Sequence, residues 1–337
     1  MKIFDISSPK SAFFYNGSES ISEYGARLKI IGVGGTGCHV VDHCIRRGLH
    51  GITSYIAVDT DEGTLAQSLA GTKISIPPLK MARALSPEIA STVRTVIGEA
   101  DMVFMVSGLG GTAGSAISLT VAQLARESGA FTIGVVFKPQ ASEGKKRQED
   151  AKEAMESLLP HVDVLVVLYG ENVEHLARQS GVNLSELLTY SNELMLQTIR
   201  CISDGVMVTG LIAVDFVDIC SALSRSKTAI MGIGHGVGAS RAQDAALRAL
   251  TNPLLNGCSI GEATGIFIEI AATSDSLTIE EIGEAAGLIQ EKAHEGIPVF
   301  FNTVFYESLD NEMQVTILAA MPNVDNAKRG AVLSVTG

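Results

Sequence analysis

Two glycine-rich stretches and one pair of aspartates are the residues of this chain best suited to chemistry. The first stretch, Gly32-Val-Gly34-Gly35-Thr36-Gly37-Cys38-His39, has GxGxxG spacing between a short apolar run and a helix-like segment. Glycines let a backbone approach a phosphate, and the free amides at a helix start favour its negative charge. Asp59 ends the next apolar run, about where a ribose ligand would sit. This pattern alone leaves NAD, FAD, ATP and GTP open, as well as a tight strand–helix turn holding no ligand. The second stretch, Ser107-Gly108-Leu109-Gly110-Gly111-Thr112-Ala113-Gly114-Ser115-Ala116, again follows an apolar run and precedes a helix-like segment. Two such loops in one sheet point to a di- or triphosphate gripped from two sides. Asp215 and Asp218, three residues apart at a helix start, project from one face. There they could polarise a water or help organise a cation, but an Asp at a helix start is more simply an N-cap.

Elements that could position these residues follow from the hydrophobic pattern. Leu28–Val33, Ser54–Val58, Met102–Val106, Phe131–Phe137 and Val162–Leu168 are short apolar runs separated by helix-length segments. That alternation predicts a parallel sheet covered on both faces. A long helix is expected over 184–203, and a second helix near Asp215. Beyond residue 225 a smaller α/β domain is expected: strand Gly265–Ala271, helix Thr278–His294, then strands Val299–Tyr306 and Gln314–Ala320. Thr278 with Glu281 fits a capping box at that helix start.

Composition narrows the class. A 337-residue chain has room for about two domains, and 46% hydrophobic with 18% charged residues suits a chain with a large core. A net charge of −12, with no basic run beyond Lys145-Lys146-Arg147, argues against nucleic acid as a partner. Lys145 and Lys146 read equally well as a solvated patch. The 5 cysteines form no CxxC pair and are odd in number, so neither a disulfide scaffold nor a zinc site is expected. No apolar run approaches the roughly 18 residues of a membrane span, and the N-terminus is too polar for a signal peptide, so a cytoplasmic protein is expected. Residues 1–27 read as a peripheral arm, in which Phe13-Phe14-Tyr15 could touch a membrane or a partner but more simply packs on its own domain.

Longer motifs carry a family resemblance. Ala100–Gly111 resembles the tubulin/FtsZ family around its glycine-rich signature, and Glu143-Gly144-Lys145-Lys146-Arg147 resembles the family's segment after the next strand. Gly210-Leu-Ile-Ala-Val-Asp215-Phe-Val-Asp218 is similar to its catalytic loop, and the likeness runs on through Ile230–Gly234, Thr251–Leu255, Leu277–Ile282 and Phe301–Val304. The resemblance covers roughly 28–321. It implies an α/β fold: a Rossmann-like parallel-sheet GTPase domain (28–183), a central helix and catalytic loop (184–224), and a smaller C-terminal α/β domain (225–323), with a short tail over 324–337. It further implies GTP or GDP as ligand and head-to-tail assembly with other copies of the chain, the acidic loop of one subunit completing the site on its neighbour. Gly34, Gly35, Thr36, Gly37, Gly108, Gly110, Gly111, Thr112, Gly114 and Ser115 would then lie against phosphates. Glu143 and Arg147 would lie near the ribose and phosphates, and Asn192 and Glu193 at the guanine. Asp215 and Asp218 become the catalytic pair. Mg²⁺ is expected from the chemistry of GTP, where it neutralises phosphate charge, although no dedicated ligand cluster is visible.

Four departures mark the chain as divergent. The family's glycine signature is close to GGGTGTG, whereas this chain has Gly110-Gly-Thr-Ala-Gly-Ser-Ala116. Ala213 stands where the catalytic loop usually begins with Asn, and His39 stands where an Asn closes the first loop. No equivalent of the family's γ-phosphate-sensing loop is found around Ile74–Arg83, which Pro77 and Pro78 stiffen. These changes motivate a second reading, a non-hydrolysing filament or scaffold protein with a vestigial nucleotide site. The chain shown stops about sixteen residues after Met321, so membrane contact would need the N-terminal arm or another protein. A third reading, an NAD- or ATP-dependent enzyme, rests on Gly32–Gly37 with Asp59, which is similar to the loop of ubiquitin-activating-type adenylating enzymes. It leaves the second glycine loop and Glu143–Arg147 unexplained.

Overall fold

Leu28–Val33 is apolar, β-branched and too short for a helix, and it forms the strand β1 at the centre of a parallel sheet. The computed structural model describes residues 25–77, 86–208 and 210–322. These fall into two units, one of residues 25–171 with 191–203 and the other of residues 172–190 with 204–322.

In the first unit β1 is followed by α1 (Gly34–Arg47), β2 (Ile52–Asp59), α2 (Glu62–Gln67), β3 (Thr72–Ser75), α3 (Pro87–Ile97), β4 (Met102–Gly108), α4 (Thr112–Glu127), β5 (Phe131–Lys138), α5 (Lys145–Leu158) and β6 (Val164–Tyr169). The strands lie in the order β3-β2-β1-β4-β5-β6, all parallel. The order reverses between β1 and β4, and ligands of such sheets bind beyond the strand ends at that point. Val33 pairs with Ser107, so the two glycine loops leave neighbouring strands side by side. The β4 run Met102–Val106 is completely buried, as expected of a strand covered on both faces.

Helices α6 (Gly170–Gln179) and α7 (Leu187–Met207) follow. Residues 191–203 of α7 belong to the first unit. The second unit continues with α8 (Phe216–Leu223), β7 (Thr228–Val237), α9 (Arg241–Leu250), β8 (Gly265–Ala272), α10 (Ile279–Lys292), β9 (Val299–Phe305) and β10 (Glu312–Met321). Its strands run β7-β10-β8-β9, with β10 antiparallel to both neighbours and β8 parallel to β9.

Strand β7 is absent from the sequence reading because Gly232, Gly234 and Gly236 break its apolar alternation. The glycines let α9 lie directly on the strand: a Cβ on Gly234 would come 2.1 Å from the carbonyl oxygen of Ala245. The capping box at Thr278 is formed, Thr278 accepting from the amide of Glu281. Glu281 also pairs with Arg241 at the start of α9, Nε to Oε1 at 2.6 Å. Arg241 holds the Glu281 carboxyl below the usual carboxylate range, and burial opposes this. A carboxylate whose folded pKa is depressed stabilises the fold above its unfolded value, about 4.3, and loses that contribution as pH falls through the folded value. Arg241→Met is therefore expected to destabilise the protein by about 2 kcal/mol at pH 7. The deficit should shrink below about pH 4, and paired thermal melts at the two pH values check this.

Residues 1–24, with Phe13-Phe14-Tyr15, and the tail 324–337 lie outside the described residues, as do residues 78–85 of the stretch around Ile74–Arg83. Among the described residues no helix is long and apolar enough to cross a membrane.

Candidate nucleotide site

The two glycine loops touch each other. Gly34 has φ +71°, and a Cβ there would meet Gly114 Cα at 3.4 Å; a Cβ on Gly108 would meet Thr36 Oγ1 at 2.6 Å. Ser107 donates from Oγ to the carbonyl oxygen of Val33 at 3.2 Å and so ties the two strand ends together. Gly37 lies against the Val106 carbonyl, where a Cβ would come within 2.3 Å. Gly35 and Gly111 differ from these: a Cβ on either would meet nothing within 4 Å. The glycines thus divide into those that allow the loops to close and those that present bare backbone to open space.

Helices α1, α4 and α5 each start with no side-chain cap and no acidic residue in the first turn. Elsewhere in the unit Asp61 caps α2 and Ser86 caps α3. An uncapped start leaves amide donors and the positive end of the helix dipole available to an anion. Ser115, in the first turn of α4, has a buried hydroxyl with no hydrogen-bond partner among the described residues. Thr112 opens α4, but its side chain lies outside the described atoms.

Glu143 and Arg147 are brought to the second loop. Gly110, at φ +83°, lies against the Arg147 backbone, where a Cβ would meet the carbonyl oxygen at 2.6 Å. Arg147 Nη1 is 3.2 Å from Glu143 Oε2, and Glu143 Oε1 accepts from the Gln140 amide at 3.0 Å. Asp59 is 4% exposed, and its Oδ1 accepts from the amides of Thr60 (2.6 Å) and Asp61 (3.2 Å). One of its oxygens therefore shapes the turn after β2.

Asn192 and Glu193 lie in the part of α7 that belongs to this unit. Asn192 is 8% exposed, and its Oδ1 is buried with no partner among the described residues. The Glu193 carboxylate is fully engaged: Oε2 lies 2.7 Å from His43 Nε2 and 3.1 Å from Arg47 Nη2, and Oε1 accepts from Gln197 Nε2 at 3.1 Å. Burial pushes its pKa up, yet the His43 bond and the charges of Arg47, His43 and Arg200 hold it below the usual range. Sequence reading passed over His43, Arg47 and Gln197. Their i, i+4 spacings, His43 to Arg47 and Glu193 to Gln197, are ordinary helix-face signals that name no partner on another helix.

Asp215 and Asp218 belong to the second unit. The loop before them is pinned to β9. Ile212 donates its amide to Thr303 Oγ1 at 3.0 Å and accepts from the Thr303 amide at 3.1 Å, while Gly210 lies against the Thr303 carbonyl. Asp215 stands at the N-cap position of α8, but its side chain makes no capping hydrogen bond. Only its carbonyl serves the helix, accepting from the amides of Asp218 (3.0 Å) and Ile219 (3.2 Å). The Asp215 side chain is exposed and Asp218 is half-buried. Among the described residues no group of three or more His, Cys, Asp or Glu could hold a metal ion.

Residues 27–177 match the Tubulin/FtsZ family, GTPase domain, and residues 227–321 match the FtsZ family, C-terminal domain. Among solved structures the chain is similar to an empty FtsZ dimer from M. jannaschii, with 28% identity and a TM-score of 0.80 over 88% of this chain and 89% of the other. It also shares its fold with a GTPγS-bound protofilament of CetZ2 from Haloferax volcanii, with 16% identity and a TM-score of 0.71 over 92% of this chain and 100% of the other. Two domains of one family, matched in order over most of the chain, agree with the paired loops and the divergent signature. The chain belongs to the tubulin/FtsZ family of cytoskeletal GTP-binding proteins, as a divergent FtsZ-like member.

Proposed function

We propose that this protein binds GTP between its two glycine loops, assembles head to tail, and hydrolyses GTP when Asp215 and Asp218 of one subunit reach the nucleotide of the next. The observation that carries the reading is the contact of the two glycine loops at the sheet's switch point, with the uncapped starts of α1 and α4 beside them. In this reading the open backbones of Gly35 and Gly111 receive phosphate oxygens, Glu143 and Arg147 flank the ribose and phosphates, and the buried Oδ1 of Asn192 accepts a hydrogen bond from the base. When bound, Mg²⁺ would neutralise charge on the β- and γ-phosphates. Asp215 supplies a carboxylate not occupied in capping, suited to orient a water for attack on the γ-phosphate. Self-association follows the FtsZ dimer and the CetZ2 protofilament.

Pelleting and negative-stain microscopy with GTP, GDP, ATP and no nucleotide test the reading. Filaments are expected with GTP, and with ATP only at about tenfold higher concentration. Ala213 favours a second reading, because it places a methyl group in the acidic loop where an amide donor is usual. Filaments that form equally well without nucleotide, and release no phosphate, would establish that non-hydrolysing scaffold instead.

A further inference from the structure

Glu193 stands at a position the resemblance assigns to the base, yet its carboxylate faces another helix. Three donors converge on it: His43 and Arg47 from α1, and Gln197 from its own helix. The group is 1% exposed. Turning it toward a base would break two charge-assisted bonds and leave Arg47 and His43 facing a vacated acceptor in a buried place, which is unfavourable. Asn192, the preceding residue, has the opposite character: a buried oxygen that no described residue satisfies.

Resting on the guanine-nucleotide reading above, we propose that Glu193 is a positioning residue that ties α1 to α7 through His43 and Arg47, and that base selection falls on the Asn192 amide. Helix α1 begins at Gly34, so it carries the first glycine loop on its N-terminal end and the Glu193 tie on its C-terminal half. Loosening the tie lets the phosphate-facing amides drift, and the effect is the same for any ligand that carries the phosphates. The Asn192 oxygen can accept from the N1 or N2 donors of guanine. An amide can also turn over and meet adenine, accepting from N6 and donating to N1, which a carboxylate cannot do. Discrimination of GTP from ATP is therefore modest, about tenfold, the scale of one net hydrogen bond.

The test uses the full chain and two competing probes, GTP and inorganic tripolyphosphate, which has no base. Glu193→Gln is expected to weaken both by the same factor, roughly tenfold for the loss of charge-assisted bonds. Asn192→Ala is expected to weaken GTP and leave tripolyphosphate unchanged. If Glu193→Gln does not fold, His43→Ala, which leaves Glu193 paired with Arg47, is expected to show the same uniform loss on a smaller scale. Loss of GTP binding in Glu193→Gln with tripolyphosphate unaffected would mean that Glu193 reads the base and would overturn the proposal. Unchanged binding of both probes by folded Glu193→Gln would overturn it as well, because the tie would then be structural only. A wild-type protein that binds tripolyphosphate but no guanine nucleotide would overturn the nucleotide reading itself, and the proposal with it.

Discussion

Asp215→Ala is expected to slow phosphate release from GTP by at least about a hundredfold, within the range for loss of a positioned acid–base group. Nucleotide affinity should stay within about twofold. The physical ground is that the Asp215 carboxylate does no work for its own helix: the N-cap position is occupied, yet the cap bond is absent. An exposed side chain with no such bond contributes little to the fold, so the unfolding free energy should stay within the scatter of surface substitutions, about 0.5 kcal/mol. Asp218→Ala should give a smaller loss, because Asp218 is half-buried in the first turn of α8. Where turnover limits filament lifetime, the Asp215 variant should assemble and persist. Turnover and filament lifetime are read together in a light-scattering time course with coupled phosphate detection. Unchanged turnover in the Asp215→Ala, Asp218→Ala double variant would remove both residues from the chemistry.

Gly35→Ala is expected to separate binding from folding. A Cβ at Gly35 meets nothing within 4 Å, and the residue lies in the first turn of α1 without a positive φ, so Ala is accommodated there at least as well as Gly. The fold should therefore be as stable as before, or slightly more so. The same methyl group enters the space proposed for a phosphate, so GTP affinity should fall by more than about tenfold, the scale of one or two lost charge-assisted hydrogen bonds. Gly37→Ala provides the contrast, since its Cβ would stand 2.3 Å from the Val106 carbonyl oxygen and the fold itself should suffer. Thermal melts and nucleotide titration on both variants check the pair. If Gly35→Ala bound GTP normally, the open face of the first loop would not be the phosphate side.

The loops and their strands were legible because their signals are local. Apolar, β-branched runs of strand length, two of them ending in glycine loops, predict β1, β2, β4, β5 and β6 of a covered parallel sheet. The four-residue edge strand β3 (Thr72–Ser75), with half its residues exposed, carries no such run and was missed. The capping box at Thr278 was legible for the same reason. What escaped had its cause elsewhere in the chain. Strand β7 is patterned by glycines that let α9 approach, so its sequence shows no strand-like apolar alternation and it was assigned no element. Glu193 was legible as a carboxylate on the central helix, but its partners His43 and Arg47 lie about 150 residues earlier, and side-chain direction is not written in spacing. The N-cap position of Asp215 was foreseen. That its side chain leaves the cap unmade, and that the loop before it is held by Thr303 of β9, is visible only in the folded chain.

The most direct test of the account is the specific rate of phosphate release measured against protein concentration, in GTP and Mg²⁺, on protein whose bound nucleotide has been identified. A site completed by the acidic loop of a neighbouring subunit predicts guanine nucleotide in the purified protein. It also predicts a specific activity near zero at low concentration that rises steeply as subunits associate. A specific activity independent of concentration would contradict completion between subunits. Bound guanine nucleotide with no release at any concentration would contradict hydrolysis and leave a nucleotide-bearing scaffold in its place.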